Sequence, residues 1–206
     1  MLKSYLKEIS EVASRGGARE ESYYSILERL LQEYAASVDK KNIHITTLPK
    51  KTDAGNPDFR IWDGNQHIVG YIEAKTPTTE YLDQIETTGQ LKRYLKTFPN
   101  LILTNFLEFR LYRNGELIDK VLIGRPFVMH KLKTVPPVEK ESDFLLLLEK
   151  FFSFSLPKFY DAESLARALA DKTRFLRDEV VTQELCAVET GLKPVSTNID
   201  RGKNGC

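Results

Sequence analysis

The chain has 206 residues, 41 % hydrophobic and 29 % charged, which fits a soluble globular domain with a core of its own and room for an appendage. Lysine and arginine number 30 against 29 aspartates and glutamates, a formal net charge of +1, so bulk charge makes no case for a nucleic-acid partner and any basic surface must be local. The two cysteines, Cys186 and Cys206, lack metal-ligand spacing and build no disulfide framework, which points to a reducing, cytoplasmic setting.

The N-terminus, MLKSYLKEISEVASRGGAREE, carries charges every few residues and does not read as a signal peptide. Apolar positions at Leu2, Tyr5, Leu6, Ile9 and Val12 predict a helix over 2–13, stopped by Gly16-Gly17. A second helix is expected over 19–36, with Tyr23, Ile26, Leu27, Leu30, Leu31 and Tyr34 as its stripe. Three short β-rich segments follow at 43–48, 58–62 and 67–74, and Asp63-Gly64 marks a hairpin turn between the last two. A helix is expected over 79–97, a buried strand at 101–104, and a second hairpin over 107–123 turning at Asn114-Gly115. The proline-broken segment 134–143 reads as a linker, followed by helices at 143–153 and 161–187 and a patternless end at 193–206. The longest apolar string, FLLLLEKFFSF, is broken by Glu149 and Lys150, so no stretch reaches the roughly 18 residues of a membrane span. The order of elements predicts a mixed α/β domain over 1–133 and a linker with a C-terminal helical extension over 134–206.

The chemistry lies in the strands. Asp58 opens one strand of a hairpin, and Glu73 and Lys75 sit near the end of the other, two residues apart and on one face. Neighbouring strands lie about 4.8 Å apart, so carboxylates on both can converge on one cation. Asp58, Glu73 and the carbonyl of Ala74 form a hard oxygen set of the kind Mg²⁺ takes. A lysine beside them orients or deprotonates water for attack on a phosphodiester. Taken singly, Pro-Asp is a common turn start and E-A-K a common surface tripeptide; their conjunction across one hairpin carries the reading. Glu73 lies in an apolar strand, and a partly buried carboxylate needs a partner.

NPDFRIW followed by GYIEAK resembles the active-site signature of the PD-(D/E)xK nuclease superfamily, with Asp58 and Glu73 as its acids and Lys75 as its lysine. The helix that follows carries QLKRY, which places Gln90 and Tyr94 at the Q-xxx-Y spacing of the RecB-like, Mrr-like branch. That branch also carries an acid on an N-terminal helix, and Glu20 of REESYYSILERLL matches it. The arrangement E-x-S-Y there, and NLILTNFLEFRLYRNGE further on, are similar to the nuclease domain of type ISP and type IIG restriction–modification enzymes.

The resemblance covers residues 19–125, and SLARALADKTRFLRDEV is similar to the connector that follows in those enzymes. It implies a restriction-endonuclease-like central mixed β-sheet flanked by helices. It also implies a Mg²⁺-dependent deoxyribonuclease, with Mn²⁺ as a substitute, from a bacterial or archaeal restriction system. Asp58, Glu73, Ala74 and Glu20 would form the metal shell, Lys75 would handle water, and Gln90 and Tyr94 would organise the site. The departure is the missing N-P-P-Y motif of a methyltransferase, so the chain reads either as a nuclease module separated from its methyltransferase or helicase partner, or as a stand-alone relative.

Lys92 and Arg93, beside Gln90, are the foremost candidates for DNA phosphate contact; Lys96, Lys50, Lys51, Lys40, Lys41, Arg110 and Arg113 form a wider set. His44, His67 and His130 are scattered and read as structural or exposed. A catalytically silent DNA-binding or assembly module remains an alternative, as does a repair-type exonuclease or junction resolvase using the same residues.

Overall fold

The structure, a computed structural model, describes residues 1–155 except 53, 65 and 66, together with residue 166. Helix α1 (Leu2–Ser14) leads through a short 3-10 turn (Glu20–Tyr23) into α2 (Tyr24–Ser37). Strands β1 (His44–Thr47), β2 (Phe59–Trp62) and β3 (Ile68–Ala74) follow, then α3 (Leu82–Glu86) and α4 (Gly89–Thr97). The chain returns as β4 (Asn100–Thr104), β5 (Glu108–Arg113) and β6 (Glu116–Leu122), and continues into α5 (Pro126–His130) and α6 (Glu141–Phe152).

The six strands form one sheet in sequence order. Every pairing is antiparallel except that of β3 with β4. The parallel pair follows from the connection: a helical crossover through α3 and α4 returns the chain in the same direction, whereas a tight turn reverses it. Asn114 and Gly115 both take positive φ, +50° and +87°, as a two-residue hairpin of the primed type requires. The β2–β3 turn is longer than its Asp-Gly signal implies, since the Asp63 amide donates to the His67 carbonyl.

Alternation in the strands divides the core between the two faces of the sheet. Phe59, Ile61, Ile72, Ala74, Ile102, Phe109 and Leu111 pack with α1, α2 and α6 on one face. Tyr71, Leu101, Leu103 and Tyr112 pack with Leu82 of α3 and Leu91 and Tyr94 of α4 on the other.

Two expectations change. The helix expected over 79–97 is two helices, because Thr88 breaks it: its Oγ accepts the Leu91 amide as an N-cap, and α4 starts afresh at Gly89. The core does not end at 133. Phe144, Leu147, Leu148, Phe151 and Phe152 of α6 are buried against the sheet, and buried Asn100 ties β4 to the Phe151 carbonyl at 3.0 Å. The compact unit therefore runs from Met1 to Ser155. The helix expected over 161–187 and the end at 193–206 lie outside the described residues.

Candidate functional site

The β2–β3 register builds the site. Phe59 pairs with Ile72, so the next position along the ladder sets Asp58 across from Glu73. Glu73 points to the face covered by α4, opposite Ile72 and Ala74. Asp58 is held at both oxygens: Oδ2 accepts the Ala74 amide at 2.7 Å and Oδ1 accepts the Tyr24 hydroxyl at 2.6 Å. Tyr24, the first residue of α2, also stands 3.2 Å from Oε1 of Glu20. The backbone of Thr76 supplies Glu20 with a further hydrogen bond.

Glu73 is 2 % exposed. Its Oε1 accepts from Lys75 Nζ at 2.6 Å and from Gln90 Nε2 at 3.0 Å. The same Gln90 nitrogen donates to the Tyr94 hydroxyl at 3.1 Å, as one turn of helix allows. The structure thus brings Glu20, Asp58, Glu73, Lys75, Gln90 and Tyr94 together.

The electrostatics follow from burial and crowding. Burial, reinforced by the charge of Asp58, pushes the Glu73 carboxyl up to about 8 against the opposing pull of Lys75. Burial also raises Glu20; Lys75 opposes that rise and Asp58 adds to it. Burial works against the charge on Lys75, yet Glu73, Glu20 and Asp58 together lift its pKa above the ordinary lysine value. Tyr24 is driven strongly upward by burial and by the carboxylate it bonds, so it stays a donor.

The arrangement is short of positive charge: three carboxyl groups share one ammonium. Oε2 of Glu73 is buried and has no hydrogen-bond partner among the described residues. A buried carboxylate oxygen left unpaired is costly unless a proton or a cation answers it. Among the described residues no three His, Cys, Asp or Glu side chains form a ready-made cage for a metal. A hard cation that keeps several waters and takes one or two carboxylates fits this donor set; a protein-caged transition metal does not.

Tyr24 escaped the sequence reading because it lies next to the α2 apolar stripe and looks like one more core aromatic. Its ring is indeed core, 4.8 Å from that of Phe59; only the hydroxyl belongs to the site. Lys92 and Arg93 are exposed on α4, next to the site. Arg110 and Arg113 are not free to meet phosphates. Arg110 is 2 % exposed and bonded to Glu108, Asp83 and Glu86, and Arg113 donates to the Lys150 carbonyl. His44 and His67 are exposed, and His130 contacts the Pro77 carbonyl at 2.8 Å.

No family model matches the chain, and no curated protein matches it. Among solved structures the chain is similar to one described as a cryo-EM structure of a DrdV–DNA complex. The TM-score is 0.53 and the identity 25 %, covering 75 % of this chain and 14 % of that one. The fold is a mixed six-stranded sheet flanked by helices, compatible with the restriction-endonuclease-like class. Among the described residues no helix is long and apolar enough to cross a membrane.

Proposed function

We propose that the chain is a Mg²⁺-dependent DNA endonuclease domain of the PD-(D/E)xK type, the nuclease part of a cytoplasmic restriction–modification system. One observation carries the reading. Asp58 and Glu73 converge across two paired strands with Lys75 on Glu73 at 2.6 Å, and the second oxygen of Glu73 is buried without a partner. The similarity to a protein solved with DNA supports DNA as the substrate. A methyltransferase or helicase, in another domain or subunit, would complete the system.

Asp58, Glu73 and the Ala74 carbonyl would hold the Mg²⁺, with Glu20 at its edge; Mn²⁺ would substitute. When bound, the ion polarises a phosphate oxygen and favours ionisation of water. The protein's own residues do the rest. Tyr24 and the Ala74 amide fix the plane of the Asp58 carboxylate. Gln90 and Lys75 hold one oxygen of Glu73 and leave the other free. Lys75 stays protonated among three carboxyl groups, so it serves as a donor that orients the attacking water and answers charge developing on phosphorus. Of the two roles expected for this lysine, orientation is the one its surroundings favour.

The test is a supercoiled-plasmid nicking assay with Mg²⁺, run on the wild type, Asp58→Ala and Lys75→Ala, beside a calorimetric Mg²⁺ titration of Glu73→Ala. Metal-dependent nicking lost in both variants is the expected result. Equal cleavage by wild type and both variants would sink the mechanism. DNA binding without cleavage by the wild type would favour a silent binding module, and digestion only from ends an exonuclease.

A further inference from the structure

The connection between β1 and β2 is no loose loop. Thr52 and Gly55 bond to each other in both directions, at 2.8 and 3.0 Å, and the Thr52 hydroxyl adds a third bond to the Gly55 carbonyl at 2.8 Å. Ala54 is buried in the same cluster as Leu91 and Tyr94 of α4. The Arg93 Nε reaches the Ala54 carbonyl at 3.5 Å. Gly55 takes φ +132°, and a Cβ there would stand 3.2 Å from both Cε1 and the hydroxyl oxygen of Tyr94. Only glycine combines that backbone with that approach. The connection is thus seated on α4 and runs directly into Asp58.

Lys50 and Lys51 are exposed on the connection, and Lys92, Arg93 and Lys96 are exposed on α4, which carries no acid. Among the described residues none of these five forms an ion pair. Asp53, the acid of this connection, lies outside the described residues. The chain as a whole is nearly neutral, so a cationic crest that forms no ion pair among the described residues, beside a carboxylate site, is a local feature. Lys92 and Lys96 are separated by about 6 Å along the helix axis, the axial length of about two phosphates of one DNA strand.

We infer that the β1–β2 connection and α4 together form one preassembled phosphate cradle, with Lys50, Lys51, Lys92, Arg93 and Lys96 as its cations and Gly55 as the latch that seats the connection on Tyr94. The cradle holds the backbone of the DNA strand next to the bond to be cut. The inference rests on the DNA reading of the site and adds to it which surface carries the strand.

The experiment is binding of a fluorescent 20-base-pair duplex to the full chain, by anisotropy in EDTA so that no cleavage occurs, across a series of salt concentrations. The wild type is compared with Lys50→Ala/Lys51→Ala, Gly55→Val and Lys3→Ala/Lys7→Ala, the last pair on α1 across the sheet. Removing two phosphate contacts lowers the salt slope by about 1.8 and weakens binding about tenfold or more at 0.1 M salt. Gly55→Val, with charge unchanged, is expected to weaken binding several-fold, and the α1 variant to leave it as it was. Wild-type binding with an unchanged slope in Lys50→Ala/Lys51→Ala overturns the cradle and leaves the nuclease reading standing. So does an equal loss in the α1 variant, which would mean diffuse attraction. A folded Gly55→Val protein that binds as the wild type overturns the latch; should it fail to fold, the lysine pair decides alone. A wild type that binds no duplex at all removes both readings.

Discussion

The hydroxyl of Tyr24 donates to Oδ1 of Asp58 at 2.6 Å and stands 3.2 Å from Oε1 of Glu20, so one proton serves two carboxylates that belong to different elements. It ties the start of α2 to the entry of β2. Asp58 is 9 % exposed, so Oδ1 has little water to turn to if the bond is lost.

Tyr24→Phe keeps the ring against Phe59 and removes only the hydroxyl. A buried acceptor deprived of its donor costs about 1–3 kcal/mol. Without metal the variant is expected to melt several degrees lower, by differential scanning calorimetry. Nicking at saturating Mg²⁺ should fall about tenfold, because Asp58 is no longer held in one plane, with the Mg²⁺ concentration for half-maximal rate raised. A variant that melts lower yet nicks at the wild-type rate would assign Tyr24 to stability alone.

Glu73 sets a pH dependence with a definite sign. Its folded pKa is raised from 4.5 to about 8. Below 4.5 both folded and unfolded chains hold the proton. Between 4.5 and 8 the unfolded chain has released it and the folded chain keeps it, so stability falls as pH rises; above 8 the loss is complete. The total is of the order of several kcal/mol. Melting temperatures in EDTA between pH 5 and 9 should therefore decline for the wild type and stay flatter for Glu73→Gln. Added Mg²⁺ needs the carboxylate, so its stabilising effect should grow toward pH 8. A Mg²⁺ effect that is constant across this range would exclude Glu73 as a ligand.

Much of this site was legible because it lies in short-range pattern. Two alternating segments around Asp63-Gly64 imply a hairpin that carries Asp58 and Glu73 on paired strands, whereas the register that sets them across from each other depends on a longer turn and on the shift between Ile61 and Trp62. Gln90 and Tyr94 are one helical turn apart in any helix. The long-range partners were not legible. Tyr24 and Arg110 look by local sequence like a core aromatic and a surface cation. What distinguishes them is a partner 34 residues away in one case and 24 to 27 in the other. The place of α6 was hidden for the same reason: its stripe announces a helix, while the sheet face that receives it depends on strands far upstream.

Arg110 offers a prediction about stability. Its Nε donates to Glu108 at 2.5 Å and its Nη1 to Asp83 and Glu86 at 2.7 and 2.5 Å, so one buried side chain on β5 fastens both ends of α3. Tyr112 adds a hydrogen bond to Glu86. Arg110→Met leaves buried Glu108 without its main partner, and breaking such a pair costs about 3 kcal/mol or more. The expected outcome is a melting temperature lower by about 10 °C. Lys120→Ala, whose side chain is half exposed and 3.3 Å from Glu108, should shift it by little more than a degree. If Arg110 instead served DNA, its replacement would lower the salt slope of binding and spare the melting temperature.

On the proposed nuclease reading, Gln90 separates a role of α4 in the chemistry from a role in phosphate contact alone. Its amide nitrogen spends both protons inside the site, on Glu73 Oε1 at 3.0 Å and on the Tyr94 hydroxyl at 3.1 Å. Gln90→Leu removes a donor from the ionised form of Glu73, so the carboxyl becomes harder to ionise and nicking at pH 7 should fall about tenfold, with partial recovery at higher pH. Gln90→Glu goes further by adding a negative charge beside a carboxyl already raised by Asp58, and should move the pH optimum upward by about one unit. The readout is the pH profile of nicking at saturating duplex. A Gln90 that only touched the DNA backbone would change the duplex concentration needed and leave the profile where it was; a shifted profile with an unchanged requirement for duplex places its action on Glu73.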